Sequence, residues 1–338
     1  MTKPEWQERM KKLLAGYDPF RNIELFEELV TESLPINTWE EFQRWFAQFN
    51  GGCFRGHRNA SWNLFSTLDR ALQKTVKVDT PDIQSTSWQK MNPEANEGAV
   101  LLEFQRGAHH HHHSPTPPID EVVDWLALMQ HHGAPTRLLD WTLSPYVALY
   151  FALQGESEGD AALWAIDLRW LSDRSNELLR QNDENCPDGS DFYAIGQYIN
   201  RILFGNDNLY IVIPTAPKQL NERMLTQQGQ LLCNLRHDVG FSTSLLGMLI
   251  RPAIVEQQVV SKVVLKRDQR IMFLEELRRM NIHSASLFPG LDGFARSLAV
   301  NLEISVAHQI EAHKQAVIEQ IREARQRKKL TQQTPLDQ

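Results

Sequence analysis

The stretch Gln130-His131-His132-Gly133-Ala134-Pro135-Thr136-Arg137-Leu138-Leu139-Asp140-Trp141-Thr142 constrains this chain more than any other. It sets imidazoles, a guanidinium, a carboxylate and hydroxyls between two apolar runs, Val122–Met129 and Tyr146–Leu153. Ordering that many polar groups between core elements costs conformational entropy and desolvation. The stretch is therefore a wet loop or a polar site held for a purpose. Leu138, Leu139 and Trp141 anchor it from inside, which points to a site. The competing reading is a corner between two buried helices, held by an Arg137–Asp140 pair.

The rest of the composition narrows the setting. With 338 residues and 42% apolar content, the chain can bury a large core. Its net charge of -7 argues against bulk electrostatic binding to nucleic acid, though it leaves room for a local basic cleft. Cys53, Cys186 and Cys233 are scattered and odd in number, which fits neither a disulfide framework nor a thiolate zinc site. No secretion signal or membrane span is read, so the expectation is a cytoplasmic protein without a membrane partner.

Short helices are expected over Trp6–Leu14 and Asn22–Glu32. Thr38 with Glu41 forms a capping box ahead of Phe42, Trp45, Phe46 and Phe49, which recur at helical spacing. Cys53 to Arg58 reads as a strand carrying Arg55, with a helix restarting near Leu68. Residues 77–97 form a polar excursion, and Val100–Arg106 resumes helix. The run His109 to His113 invites a metal, but adjacent imidazoles on a loop cannot share one ion, and no native metal is expected. Ser144-Pro145 restarts a buried helix through Leu153. Strands are expected at Ala161–Leu168, Leu209–Pro214, Leu231–Leu235 and Val259–Leu265, with 173–191 as loop or fraying helix. Helices follow over Ile271–Leu277, through Phe294 and Leu298, and from Ile304 to Lys329.

This order predicts an α+β fold: one mixed domain with a central split antiparallel or mixed sheet, N-terminal helices and a long C-terminal helix. The expected organisation is a helical segment at 1–50, an α+β body at 51–300 with a flexible insert near 77–118, and a C-terminal helix and tail at 301–338. No glycine-rich dinucleotide fingerprint or P-loop is present.

Arg55 follows an aromatic residue and precedes Gly56, which permits close approach of a backbone or a ligand. A guanidinium at a strand end suits bidentate capture of a phosphate or carboxylate. The alternative is a buried pair with Asp69 or Asp140.

With these motifs in view, the sequence resembles the FRG domain family. The resemblance rests on Phe54-Arg55-Gly56-His57 through Leu68-Asp69-Arg70, on Trp125 to Ala152, on Arg223-Met224 with Gln227-Gln228-Gly229, and on Leu287 to Gly293. It spans roughly Thr38 to Leu298. The family occurs in bacteria and phage, in settings that suggest defence or toxicity, and implies no settled activity.

The order of motifs is also similar to one class of ADP-ribosyltransferases, which implies NAD as co-substrate. In that likeness Arg55 grips the pyrophosphate, Thr136 or Thr142 orients the ribose, Tyr150 or Tyr146 stacks on a ring, and Gly56 lines the cofactor. The late motif places Gln227 and Gln228 where a carboxylate is wanted; Gln228 holds the position but not the charge, Glu222 lies nearby outside the motif, and Asp140 compensates only if the fold brings it to the ribose. A second reading is a His-dependent phosphodiesterase or nuclease, with His131 or His132 as base, Asp140 orienting the imidazole, and Arg55 and Arg137 on a phosphate. A third is a nucleotide-binding or sensing module without turnover. Each reading implies a phosphate-bearing small molecule as ligand, with a protein or nucleic-acid target open.

Overall fold

The computed structural model describes residues 22–72, 93–111, 115–155, 157–188, 191–205, 209–236, 240–250 and 258–332. The expected helix at Trp6–Leu14, most of the polar excursion, the end of the histidine run and the polar tail lie outside these residues. The chain divides into two compact units, Met1–Arg267 and Asp268–Gln338.

The first unit is an α+β fold, as the element pattern predicts. Helices α1 (Asn22–Val30) and α2 (Trp39–Phe46) precede β1 (Gly52–His57). Then come α3 (Pro93–His111), α4 (Val122–His131), β2 (Leu138–Thr142), α5 (Pro145–Leu153) and β3 (Ala161–Asp167). Helices α6 (Leu168–Asn182) and α7 (Phe192–Ile202) lead to β4 (Val212–Thr215), α8 (Glu222–Thr226), β5 (Gly229–Asn234), α9 (Phe241–Ile250) and β6 (Val260–Leu265).

The six strands run in the order β4-β5-β2-β1-β3-β6, and neighbouring strands are antiparallel. The sheet is split at its middle. β2 and β1 share the single rung Phe54↔Thr142, whereas β1 and β3 stay paired from Gly52↔Asp167 to His57↔Ala162. The edge at β6 is covered by residues 31–36, with Glu32 N–H donating to the Lys262 carbonyl at 2.7 Å and Ile36 N–H to Val264 at 2.8 Å. Such cover removes a free edge that would otherwise invite pairing with another chain.

Local signals explain several boundaries. Thr38 accepts the Glu41 N–H, and the Glu41 carboxylate accepts the Thr38 N–H, so the capping box closes as read. Ser144 caps α5 through the Val147 N–H, with Pro145 in its first turn. α5 is apolar on all sides and buried, so it must be covered all round. One side meets β1 at Gly56, where a Cβ would stand 2.0 Å from the Ala148 carbonyl oxygen and 2.5 Å from the Ala152 N. Gly56 thus admits a helix backbone, and this corrects its expected role in lining a cofactor. Gly56→Ala is expected to destabilise the unit by about 1–3 kcal/mol or more through overpacking, read as a lower denaturation midpoint; an unchanged midpoint would contradict this packing.

Other expectations need correction. The end of the Gln130–Thr142 stretch is not a helix–helix corner but a strand. Its register with β5 runs from Leu138↔Cys233 to Thr142↔Gly229. Leu168, expected to end the strand, instead opens a helix that runs to Asn182 and takes in much of the stretch read as loop or fraying helix, because Asp167 caps the Trp170 N–H and Leu171, Ser175 and Leu179 are buried on one stripe. The apolar run Leu245–Leu249 belongs to α9, whose residues from Phe241 to Leu249 are nearly all buried.

In the second unit, α10 (Arg270–Arg279), α11 (Ser284–Leu287) and α12 (Leu291–Gln332) follow one another. The two helices expected around Phe294 and beyond Ile304 are one 42-residue helix. Arg270 pairs with Glu303, and His308 with Glu275, joining α10 to α12.

Candidate functional site

The break between β1 and β2 is where the chemistry collects. Beyond the Phe54↔Thr142 rung the strands part, and the Asp140 carbonyl on β2 has no strand partner on that side. The Arg55 guanidinium fills the gap: Nη1 donates to the Asp140 carbonyl oxygen. Arg55 Nε donates at 3.1 Å to Nε2 of His57, two residues along the same strand and on the same face. His57 in turn faces the Trp62 carbonyl with Nδ1 at 3.1 Å. That arrangement selects the tautomer with the proton on Nδ1 and the lone pair on Nε2.

Burial explains the protonation states. Desolvation draws the half-buried Arg55 down to about 10, the Asp140 carboxylate opposes the shift, and Arg70 adds to it. Arg55 stays charged at neutral pH. His57 is held well below the usual histidine value near 6.5, first by burial and then by the Arg55 charge. It is therefore a neutral acceptor that fixes the guanidinium. No carboxylate forms an ion pair with Arg55 among the described residues, so the closed pair with Asp69 or Asp140, the alternative to a ligand-gripping Arg55, is absent there. Asp69 instead accepts from Ser66 N and Oγ, each at 2.8 Å. The Arg55 Nη2 group has no hydrogen-bond partner among the described residues.

A depressed histidine has a definite consequence for stability. Below about pH 6.5 the unfolded chain takes up a proton that folded His57 refuses, so stability falls as pH drops through that window. The slope approaches about 1.4 kcal/mol per pH unit for one proton. In urea titrations from pH 7 to pH 5, His57→Gln is expected to flatten this dependence relative to wild type. Parallel curves for the two proteins would show that His57 titrates normally in the fold.

Asp140 is the exposed residue of β2, between buried neighbours. Its Oδ1 accepts from Gln130 Nε2 at 2.6 Å, and Gln130 Oε1 accepts from Thr136 Oγ1 at 2.5 Å. A relay from α4 thus orients the carboxylate. Thr142 lies beside the split with its hydroxyl engaged twice, donating to the Gln227 carbonyl at 2.7 Å and accepting from Ser144 N–H at 3.0 Å. Gln228 enters β5 with φ 48, an uncommon conformation for a residue with a side chain. Its carbonyl accepts from Leu143 N–H at 2.9 Å, so this turn is sewn to the end of β2. The Gln230 amide turns to the Thr215 and Leu231 carbonyls, both at 3.0 Å.

At the split, then, Arg55 meets the Asp140 backbone, and Thr142 and Gln228 hold the adjoining turn, while the Asp140 and Thr142 side chains alternate to the face opposite Trp141. The structure places the other nominees elsewhere. Arg137 is 5% exposed and paired with Glu97, itself fully buried; it also donates to the Leu203 carbonyl at 3.0 Å and lies over the Phe204 ring. It holds α3 and the segment after α7 to the start of β2, and is not free to take a phosphate. Thr136 is fully buried, with its hydroxyl spent on Gln130 and its N–H on Thr67. Tyr150 is 1% exposed inside α5 and cannot stack on a ligand from there. Tyr146 packs against Trp39, Phe42 and Phe46. His131 is exposed beside Asn221 and His132, and Asp140 takes Gln130 as its partner instead.

His57 is the residue sequence reasoning passed over. The period of two along β1 was the available signal, since it puts Arg55 and His57 side by side. Among the described residues no cluster of three or more His, Cys, Asp or Glu is placed to hold a metal. No described helix is long and apolar enough to cross a membrane. No curated protein and no solved structure matches the chain. The span from β1 to the start of β3, which carries Arg55, His57 and the whole Gln130–Thr142 stretch, does match a family model: the chain contains an FRG domain over residues 50–161.

Proposed function

We propose that the split between β1 and β2 binds the pyrophosphate of NAD and that the protein is an ADP-ribosyltransferase-like enzyme. The observation that carries this reading is Arg55, fixed through Nε and Nη1 with Nη2 unspent at the sheet's break. A preorganised guanidinium loses little on gripping a phosphate, because its fork is already aimed. The split sheet and the motif order Arg55, Thr142, Gln228 around it support the same reading.

In this reaction the bond between the nicotinamide nitrogen and the ribose carbon breaks, its electron pair leaves with nicotinamide, and an acceptor nucleophile takes the ribose carbon. Positive charge builds on the ribose meanwhile. Asp140, whose charge reaches Arg55 from the other face of β2, is the carboxylate we assign to steady that charge through the split, a role that uncharged Gln228 cannot take. The acceptor in this reading is a protein or a nucleic acid, and the resemblance to a family found in settings of bacterial or phage defence or toxicity supports a role of that kind.

A second reading has its own observation. Gln230 is tied to backbone carbonyls and Gln228 is uncharged, so β5 offers no carboxylate. That favours a nucleotide-binding module without turnover. Incubation with NAD labelled in its ADP-ribose half separates the two. Nicotinamide release with label transfer, lost in Asp140→Asn, supports the transferase. Calorimetric NAD binding without release supports the module. Absence of both binding and release would sink both.

A further inference from the structure

The register places a row of side chains on one face of the sheet. Arg55 on β1 is paired with Trp164 on β3. On its other side, the rung after Phe54↔Thr142 sets Trp141 of β2 on the face that Arg55 occupies. Trp141 is 3% exposed and Trp164 fully buried, and neither indole Nε1–H has a hydrogen-bond partner among the described residues. Buried donors without acceptors are rare in native proteins, because each forfeits its hydrogen bonds to water. Here the two lie on the strands either side of β1, on the face of Arg55, whose Nη2 is also unspent among the described residues.

Other indoles in the same unit behave differently. Buried Trp125 donates to the Pro118 carbonyl at 2.8 Å, and buried Trp45 to Ser261 Oγ at 3.0 Å. The next residue along the row, Lys262, is ion-paired with Glu27 at 2.7 Å and lies over the Trp164 ring, so its charge is already answered.

From this juxtaposition we infer that Arg55, Trp141 and Trp164 form a donor-only subsite for two linked phosphates. An indole N–H and a guanidinium can only donate, so the complementary group is an anion that can only accept. Two strand spacings set a floor of roughly 10 Å between the indole-bearing strands, since β1 and β2 part beyond their single rung. That span is too wide for one tetrahedral phosphate and suits a pyrophosphate centred on Arg55. The indoles are sealed from water without ligand, so entry opens the sheet where it is weakest, at the single rung between β1 and β2. The inference rests on the Arg55 anchor of the reading above but not on turnover.

The test uses inorganic pyrophosphate and the full chain labelled with nitrogen-15 in its tryptophan indoles. Saturating pyrophosphate is expected to shift the Trp141 and Trp164 indole N–H resonances downfield and leave Trp125 in place. Pyrophosphate is expected to bind at least 10-fold tighter than orthophosphate. Trp141→Phe and Trp164→Phe, which keep an aromatic ring and remove the donor, should each weaken pyrophosphate about 10-fold, whereas Trp125→Phe should not. Unmoved indole signals, or equal affinity for the two anions, would overturn the subsite. The shifts require no variant to fold, so they decide the matter even if a Trp→Phe protein is unstable. Pyrophosphate binding with indole shifts but no NAD cleavage leaves the subsite standing and removes the transferase. NAD cleavage without indole shifts does the reverse.

Discussion

Glu97→Ala is expected to destabilise the 1–267 unit by about 3–5 kcal/mol, the cost of leaving one member of a buried ion pair alone. Glu97 is fully buried and meets Arg137 through both oxygens: Oε1 accepts the Arg137 N–H at 3.1 Å, and Oε2 accepts from Nε at 2.7 Å and from Nη2. Without it the guanidinium keeps only the Leu203 and Leu235 carbonyls and the Phe204 ring. The pair ties together α3, the start of β2, the end of α7 and the end of β5, so its loss is felt across the unit. Urea denaturation followed by tryptophan fluorescence reads the effect. Arg137→Met combined with Glu97→Leu should recover most of it, because apolar replacement of both partners spares the desolvation of either charge. A single variant as stable as wild type would mean that the pair is not buried in solution.

Arg55→Lys is expected to lower affinity for NAD by about 10- to 100-fold, the range set by losing a charge-assisted hydrogen bond worth about 1.5–3 kcal/mol. The change is not conservative. A lysine ammonium has no fixed fork, so it cannot meet His57, the Asp140 carbonyl and a phosphate at once in the Arg55 geometry. It also titrates more readily. The burial that draws Arg55 down to about 10 acts on a lysine from a lower starting point. The residual binding of Arg55→Lys should therefore fade as pH rises above neutral, as the ammonium loses its proton, while wild-type binding stays level over the same range. Calorimetric titrations at several pH values test this. Equal affinity in the two proteins would remove Arg55 from the site and with it the transferase reading.

Which parts of this molecule were legible follows from how local their causes are. The α2 start at Thr38 and Glu41, the α5 start at Ser144 and Pro145, and the β-branched run of β6 depend on neighbours a few residues away. β2 was illegible because its five residues carry a burial pattern set by other strands: Leu138 and Leu139 are both buried, since β5, α4 and α5 all cover this strand. Arg137 and Asp140 looked alike in the sequence, as charges three residues apart. The fold sends one into the core to meet Glu97 and leaves the other at the surface beside Arg55.

The Gln130–Thr142 stretch thus holds both kinds of determination. Its residue types ensured that this segment would be costly to order, that its leucines and tryptophan would be buried, and that Arg55 was a second centre of interest, since hydrophobicity and donor chemistry belong to the side chains themselves. Only the tertiary structure decided that Thr136 and Arg137 serve the fold, that His57 rather than a carboxylate holds Arg55, and that Trp141 and Trp164 flank it. Those outcomes turn on strand register and on a gap one rung wide between β1 and β2, which join residues some 85 positions apart. No local pattern encodes a register at that separation, because it is selected by the packing of the whole sheet.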